Sequence, residues 1–431
     1  MVAAAVLVAL AAAGCDGVDG PGVEAVDREV TILHAFTGEA DVAGLGALLD
    51  AFAAQHPDIA ITEEGSTDFG SLARARLAAE DPPDILLHPQ PGLLEDFHRQ
   101  GLLRPLDYLD ADAIAEQMVG GLAELVTFDG VYHAQPMRLS YKSLVWYSPA
   151  TFAAGGYQVP TTWAELTALT DRMVADGLTP WCIGIESGEG TGWVATDWVE
   201  DILLRTIGLD GYDRWVAGDL AFASPEVSSA LEAYLVPIWT DDAQVAGGRE
   251  QIAREAFGTS VGGILGDDPA CGLHRQATFI EGFIEQIDPD ATFGTDYDFF
   301  ALPAIDGGDV PALGGGDFAA VYTDNEAART FIRFLATPEA GDAWAAIGGF
   351  LSPFAPVFDD TAYASDSARK ASALLADASA FRFDGSDLMP GDVGSSAQPG
   401  SFWSEMTDWV TGQIELDEAL RNIDDRYASV R

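Results

Sequence analysis

Carboxylates dominate the chemistry open to this chain: 69 of its 431 residues are Asp or Glu against 21 Lys and Arg, a net charge of −48. A carboxylate accepts paired hydroxyl hydrogen bonds, and two of them about 5 to 10 Å apart across a sugar would make an exported glycoside hydrolase. The acids run along the whole sequence, so such a pair stays open, but no local hydrolase signature accompanies them. Metal and phosphate chemistry are poorly served. The six histidines are scattered with no His-x-x-x-His pair, which argues against zinc. Asp288-Pro289-Asp290 lacks the ligand spacing of a calcium loop. No Gly-x-x-x-x-Gly-Lys-Ser/Thr loop is present, and Gly314-Gly315-Gly316 reads as a tight turn. We therefore expect no cofactor and no bound metal.

Cysteine points to export. Met1 to Ala13 is an apolar run too short for a bilayer core of roughly 30 Å, and it has the length of a signal-peptide apolar region. Ala12-Ala13-Gly14 ahead of Cys15 resembles the bacterial lipobox, so residues 1–15 are expected to be a lipoprotein signal peptide with Cys15 acylated. Residues 16–27 then form a flexible tether. The expected location is extracytoplasmic, with the membrane touched only through the lipid. Cys182 and Cys271 are the two cysteines left, either bridged, which the chain-entropy model values at about 4 to 5 kcal/mol, or two buried thiols. The charge balance excludes nucleic acid as a partner, because phosphate binding needs a basic stripe and the chain has only two lysines, Lys142 and Lys370.

The elements that would position a site follow from periodicity. Val30 to Phe36 is strand-like; Leu45, Leu48, Leu49 and Phe52 repeat at helical spacing until His56-Pro57; Ile59 to Thr62 is a second strand. A helix over Leu72 to Ala79 and a strand over Asp84 to His88 complete a β-α-β-α-β order, which predicts an open, mostly parallel sheet flanked by helices. Ligands of such sheets sit at the carboxyl ends of strands, here Thr37-Gly38-Glu39, Gly65 to Phe69 and Pro89 to Gly92. The stretch from Ser140 to Ile287 is helix-rich and holds seven of the ten tryptophans. A strand returns at Tyr297 to Pro303, a helix over Glu326 to Leu335, and Leu416, Leu420, Ile423 and Tyr427 share one face of a last helix.

Three landmarks carry a family resemblance. The first joins Asp129-Gly130-Val131-Tyr132-His133-Ala134-Gln135-Pro136, Leu144 to Ser148, and Gly156-Tyr157-Gln158-Val159-Pro160-Thr161-Thr162-Trp163-Ala164-Glu165-Leu166. Pro83-Asp84-Ile85 with Gly101 to Leu106 is the second, and Ser401-Phe402-Trp403 with Asp417 to Leu420 the third. Together they resemble the bacterial extracellular solute-binding proteins of the carbohydrate class that feed ABC importers, distantly maltose-binding protein. Thr179 to Gly184, Gly192-Trp193, Thr196-Asp197-Trp198, Cys271 to Gln276 and Phe381 to Gly391 resemble the α-glucoside-binding branch.

The resemblance implies an α/β, periplasmic-binding-protein-like fold of two lobes joined by a three-stranded hinge, each lobe a mostly parallel sheet flanked by helices, with the ligand cleft between them. Residues 28–138 with 296–345 are expected to form lobe 1, and 139–295 with 346–431 lobe 2. The implied function is capture of an α-glucoside or other oligosaccharide by hinge closure, without catalysis, and delivery by a monomer to the transmembrane subunits of a permease. A structural envelope protein, the third reading, would bind no small molecule.

Sugars present apolar C–H faces ringed by hydroxyls, so a sugar cleft needs aromatic plates and fixed polar rims. Trp193 and Trp403 match stacking positions of the family, and Phe279 is a third plate. Asp68, Gln90, Tyr141, Asp197, Arg275, Asp317, Arg382 and Asp384 are the rim candidates. A disaccharide of about 23 heavy atoms at about 0.3 kcal/mol per atom would bind with roughly 7 kcal/mol, or roughly 10 μM.

Overall fold

The computed structural model describes residues 28–36, 38–354 and 363–431. The expected signal peptide with Cys15, the expected tether, and Thr37 lie outside the described residues.

Strands β1 (Glu29–His34), β2 (Ala60–Gly65) and β3 (Ile85–His88) pair in parallel with β1 in the middle, in register Ile32 to Ile85 and Leu33 to Leu86. Helices α1 (Glu39–Gln55), α2 (Phe69–Ala78) and α3 (Pro91–Arg99) alternate with them. The order predicted from periodicity is the order observed. All four residues of β3 are buried, because the strand sits inside the sheet; β2 is its exposed edge, blunted by Glu63 and Glu64.

A short hairpin of β4 (Thr127–Phe128) and β5 (Val131–Tyr132) leads into β6 (Ala134–Tyr141), which crosses to β7 (Leu144–Tyr147). Strand β7 lies between β8 (Leu273–Arg275) and β9 (Asp298–Ala301). The chain recrosses in β10 (Ala312–Val321), whose first half lies between β6 and β11 (Phe381–Phe383) and whose second half lies between β6 and β3. The sheets are mixed rather than mostly parallel: β10 runs antiparallel to β3 and β6, and the β8-β7-β9 sheet is antiparallel throughout.

The glycine run 314–316 is not a turn but part of β10. Glycine is needed there for close approach: a Cβ on Gly314 would overlap the Phe381 ring, and one on Gly316 the Arg138 carbonyl. The run therefore lets three strands crowd together where the chain changes sides.

Two apolar cores result. The first gathers Ile32, Leu33, Phe52, Leu86, Phe97, Phe318 and Phe331 around the β1–β3 sheet. Phe350, Leu351, Phe354, Tyr363 and Leu375 also pack there. The second gathers Leu166, Trp181, Trp198, Trp215, Trp239, Phe402, Trp409 and Leu420, almost wholly from helices. Six of the seven mid-chain tryptophans are thus core residues; Trp193 alone of them is half-buried. Cys182 and Cys271 are bridged, with Cα atoms 5.6 Å apart, across a separation of 89 residues.

A cleft between two cores

A cleft of about 1130 Å³ opens where the two cores face each other. The first core contributes Thr67, Phe69, Ser71 and Gln90 from the α2 and α3 turns, which are the strand-end loops that sequence order singled out. The second contributes Trp193 and Phe257, and Trp403 and Phe279 complete the aromatic wall, Phe279 packing on the first core. Strands β6 and β10 supply the floor, with Arg138, Ser140, Gly315, Gly316 and Asp317, and Lys142 just beyond β6. At the mouth the two sides touch, the Ser71 hydroxyl donating to Glu189 Oε1 at 2.9 Å.

Local sequence fixes the aromatic wall. Trp193 opens the helix Trp193–Thr206, and Gly192 before it has φ 114°, a left-handed conformation suited to glycine. A side chain at Gly192 would overlap the Trp403 carbonyl, so this glycine lets the two tryptophan segments meet. The Trp193 ring lies 5.2 Å from Phe257 and 5.9 Å from Phe279, and Phe279 stacks on Phe350 at 6.0 Å. Trp403 reaches the cleft only by an edge: it is 8% exposed, and its indole N–H donates to the Ser386 hydroxyl at 3.2 Å.

Under the floor lies a buried charge network. The Lys142 ammonium donates to Asp197 at 2.9 Å and to Asp384. Arg275 pairs with Asp201 and, at 3.4 Å, with Asp197; Arg205 donates to Asp201 at 2.6 Å and to the carbonyls of Leu302, Pro303 and Pro311. Glu200 accepts the backbone N–H groups of Gly385 and Ser386. Helix Trp193–Thr206 thus ties together the segments after β6, before β10 and after β11, the places where the chain passes between cores.

The electrostatics follow from burial. Burial first, then neighbouring carboxylates, push Asp197 up to about 7 and Glu200 and Asp387 well above the usual carboxylate range. Asp384 and Asp201 resist burial: Lys142 holds the first below that range, and Arg275 with Arg205 the second. Lys142 is raised despite its burial, because Asp197 and Asp384 face it. Asp197, Glu200 and Asp384 each offer an oxygen within 4.8 Å of the others, an arrangement that could hold a metal ion, but the Lys142 ammonium already bonds two of the three.

Of the eleven ligand candidates, Gln90, Trp193, Phe279, Asp317, Asp384 and Trp403 line the cleft. Five do not. Asp68 faces solvent between two lining residues, Thr67 and Phe69. Tyr141 is sealed in the first core with its hydroxyl unpartnered. Asp197 and Arg275 are fully buried in the charge network, so they support the floor from behind. Arg382 forks onto Asp213 at 2.6 and 2.8 Å, away from the cleft.

Sequence reasoning missed Arg138, Lys142, Asp387 and Phe257. Arg138 lies between the rings of Phe36 and Phe350, 3.7 and 3.6 Å from their centroids, and bonds Asp317 and Asp41. Lys142 carried a signal, being one of two lysines in the chain and standing where the first crossing ends.

A family model described as bacterial extracellular solute-binding protein matches residues 37–342. The osmoprotective compounds-binding protein of Synechocystis sp. is 38% identical over 398 residues, covering 91% of each chain. The alpha-glucosides-binding periplasmic protein of Rhizobium meliloti is 40% identical over 353 residues, 79% of this chain and 75% of that one. Among solved structures, a chitin oligosaccharide binding protein superposes with a TM-score of 0.77 at 18% identity, over 93% of this chain and 98% of that one. A maltose-bound T. maritima protein gives 0.72 at 18% identity, over 94% and 100%.

Proposed function

The chain belongs to the bacterial extracellular solute-binding proteins of ABC transporters, and on that premise we propose that its cleft captures a neutral α-glucoside of about disaccharide size. The single observation that carries the reading is the half-buried Trp193 plate, flanked by Phe257 and Phe279 and set over a floor of fixed carboxylates and cations. Apolar sugar faces stack on the first and hydroxyls bond to the second. The names of the two relatives, one for alpha-glucosides and one for osmoprotective compounds, favour a small glucoside over a long polymer.

Gln90, Asp317, Asp384, Asp387 and Trp193 are the proposed contacts, with Phe279 and the Trp403 edge completing the wall. In this reading residues 28–138 with 312–354 and 363–383 form the bulk of the first lobe, with Trp146, Ile280, Ile284 and Phe299 packing on it, and most of the rest of the described chain forms the second. Closing the mouth at Ser71 and Glu189 holds the sugar, and the closed monomer presents it to a permease. Acylated Cys15 keeps the protein at the membrane surface; among the described residues no helix is long and apolar enough to cross a membrane. The sugar leaves unaltered, because Asp317 and Asp384 are committed to Arg138 and Lys142 and are poorly placed to exchange protons with a glycosidic oxygen.

The test is tryptophan fluorescence titration of the purified protein with trehalose, maltose, sucrose and longer glucosides, followed by chromatography of the sugar. A saturable signal with a Kd of roughly 10 μM or tighter for one of them, and sugar recovered intact, is expected. No response to any of them, or hydrolysis, would overturn the reading.

A further inference from the structure

Asp387 stands apart from every other carboxylate of the cleft floor. It lines the cleft on the short helix Gly385–Leu388, is 8% exposed, and its carboxyl makes no hydrogen bond to the described residues, although its own N–H donates to Asp384. Its oxygens keep their access to the cleft, so they are open to a donor that enters it.

The surroundings say what kind of group that is. Two cations stand on the floor, and each is already shared between carboxylates: Arg138 between Asp41 and Asp317, Lys142 between Asp197 and Asp384. Neither is free to meet Asp387. The charged groups that act on Asp387 are Asp384, Asp197 and Asp317, which disfavour its ionisation, and Lys142, which favours it. Glu200 adds a further acid beneath the same helix, bonded to Gly385 and Ser386. The floor therefore carries an excess of acid at this point, in a cleft that the aromatic rings of Trp193 and Phe279 also line, and aromatic faces attract cations.

We propose that Asp387 forms an ammonium subsite, so that the cleft takes amino glycosides in preference to their neutral counterparts. The inference rests on the glucoside reading above and deepens it by naming a ligand class. An ammonium placed at Asp387 brings a cation to an acid-rich floor and a donor for each carboxyl oxygen that the chain leaves unbonded. Burial, and then the neighbouring acids, raise the hold of Asp387 on a proton, so an incoming cation that favours the carboxylate is expected to drive proton release.

The experiment is titration calorimetry at pH 7 with trehalose, maltose and sucrose and with monoamino analogues of each carrying the ammonium at successive ring positions. Repeating it in buffers of different ionisation enthalpy counts protons. At least one amino analogue is expected to bind about tenfold tighter than its parent. That analogue is expected to release up to about one proton per sugar bound, and its parent none. In Asp387→Asn the ratio of amine to parent affinity is expected to fall to about one. Should that variant fail to fold, the amine-to-parent affinity ratio on the unmodified protein decides, with the proton count beside it. A parent that binds while no amine binds better and no proton is released would overturn the ammonium subsite and leave the glucoside reading standing. Failure of every parent and every amine to bind would instead remove the glucoside reading itself.

Discussion

Replacing Trp193 with Ala removes the only mid-chain indole that faces the cleft. An aromatic side chain offers about 150 to 250 Å² of surface, and a sugar stacked on one face covers roughly 100 Å² of it. At about 25 cal/mol per Å² that face is worth about 2.5 kcal/mol, or about 70-fold in affinity. Starting from roughly 10 μM, the variant should bind near 1 mM. Helix Trp193–Thr206 should survive, since Trp193 is its first residue, Ala is a good helix former, and Gly192 keeps its place against Trp403. Trp193 is half-buried, so the lost packing on Phe257 and Phe279 should cost the fold less than a core tryptophan would. Calorimetric titration gives the affinity and far-ultraviolet circular dichroism checks the fold. Trp193→Phe should recover part of the loss, because a smaller ring still offers a face. A native-like Ala variant whose affinity falls less than about threefold would refute stacking on this indole.

Other parts of the account make separate predictions. Lys142→Met leaves Asp197 and Asp384 buried without their shared ammonium, and denaturant unfolding should register a loss of about 3 to 5 kcal/mol. A change below about 1 kcal/mol would mean that the network is not the tie between crossings. Cys182→Ser with Cys271→Ser should lower stability by up to about 4 to 5 kcal/mol, and reducing agent should then no longer alter the melting temperature. The response to pH has a definite sign. Asp197, Glu200 and Asp387 have folded pKa values raised by burial, so their contribution is fully present below about pH 4 and is lost as pH rises through about 7 and beyond. His88 and His274, pushed down by burial to about 3 and about 4, act oppositely, but only below their ordinary value of 6.5. Between pH 8 and 7 the raised acids act alone, so scanning calorimetry should give a higher melting temperature at pH 7 than at 8.

Much of the first lobe was legible because its signals are local. The apolar runs of β1 and β3 and the helical spacing of Leu45, Leu48 and Phe52 in α1 map directly onto buried positions. His56-Pro57 ends the helix as expected, with His56 at its C-cap. The glycine run 314–316 misled because glycine marks turns and tight strand contacts alike, and only the neighbouring chain, here Phe381 and the Arg138 carbonyl, tells them apart. The site was legible in its loops and its aromatic plates. It was illegible where burial inverts the ordinary meaning of a charge: Asp197 and Arg275 have the residue types of a sugar rim, yet helix Trp193–Thr206 is buried on nearly every face. No periodicity in the sequence distinguishes a carboxylate that meets a ligand from one that meets an arginine behind the floor. Asp387 was overlooked for the same reason, since Asp384 three residues earlier has the same chemistry and differs in its partners, Lys142, the Ser386 hydroxyl and the Asp387 N–H.

The most direct test of a sugar-clasping cleft is a distance measured across its mouth in solution. Spin labels on the exposed faces beside Ser71 and Glu189 should give a shorter, narrower distance distribution when saturating glucoside is added, as the two lobes are held together around it. An identical distribution with and without a sugar that calorimetry finds bound would contradict closure between lobes.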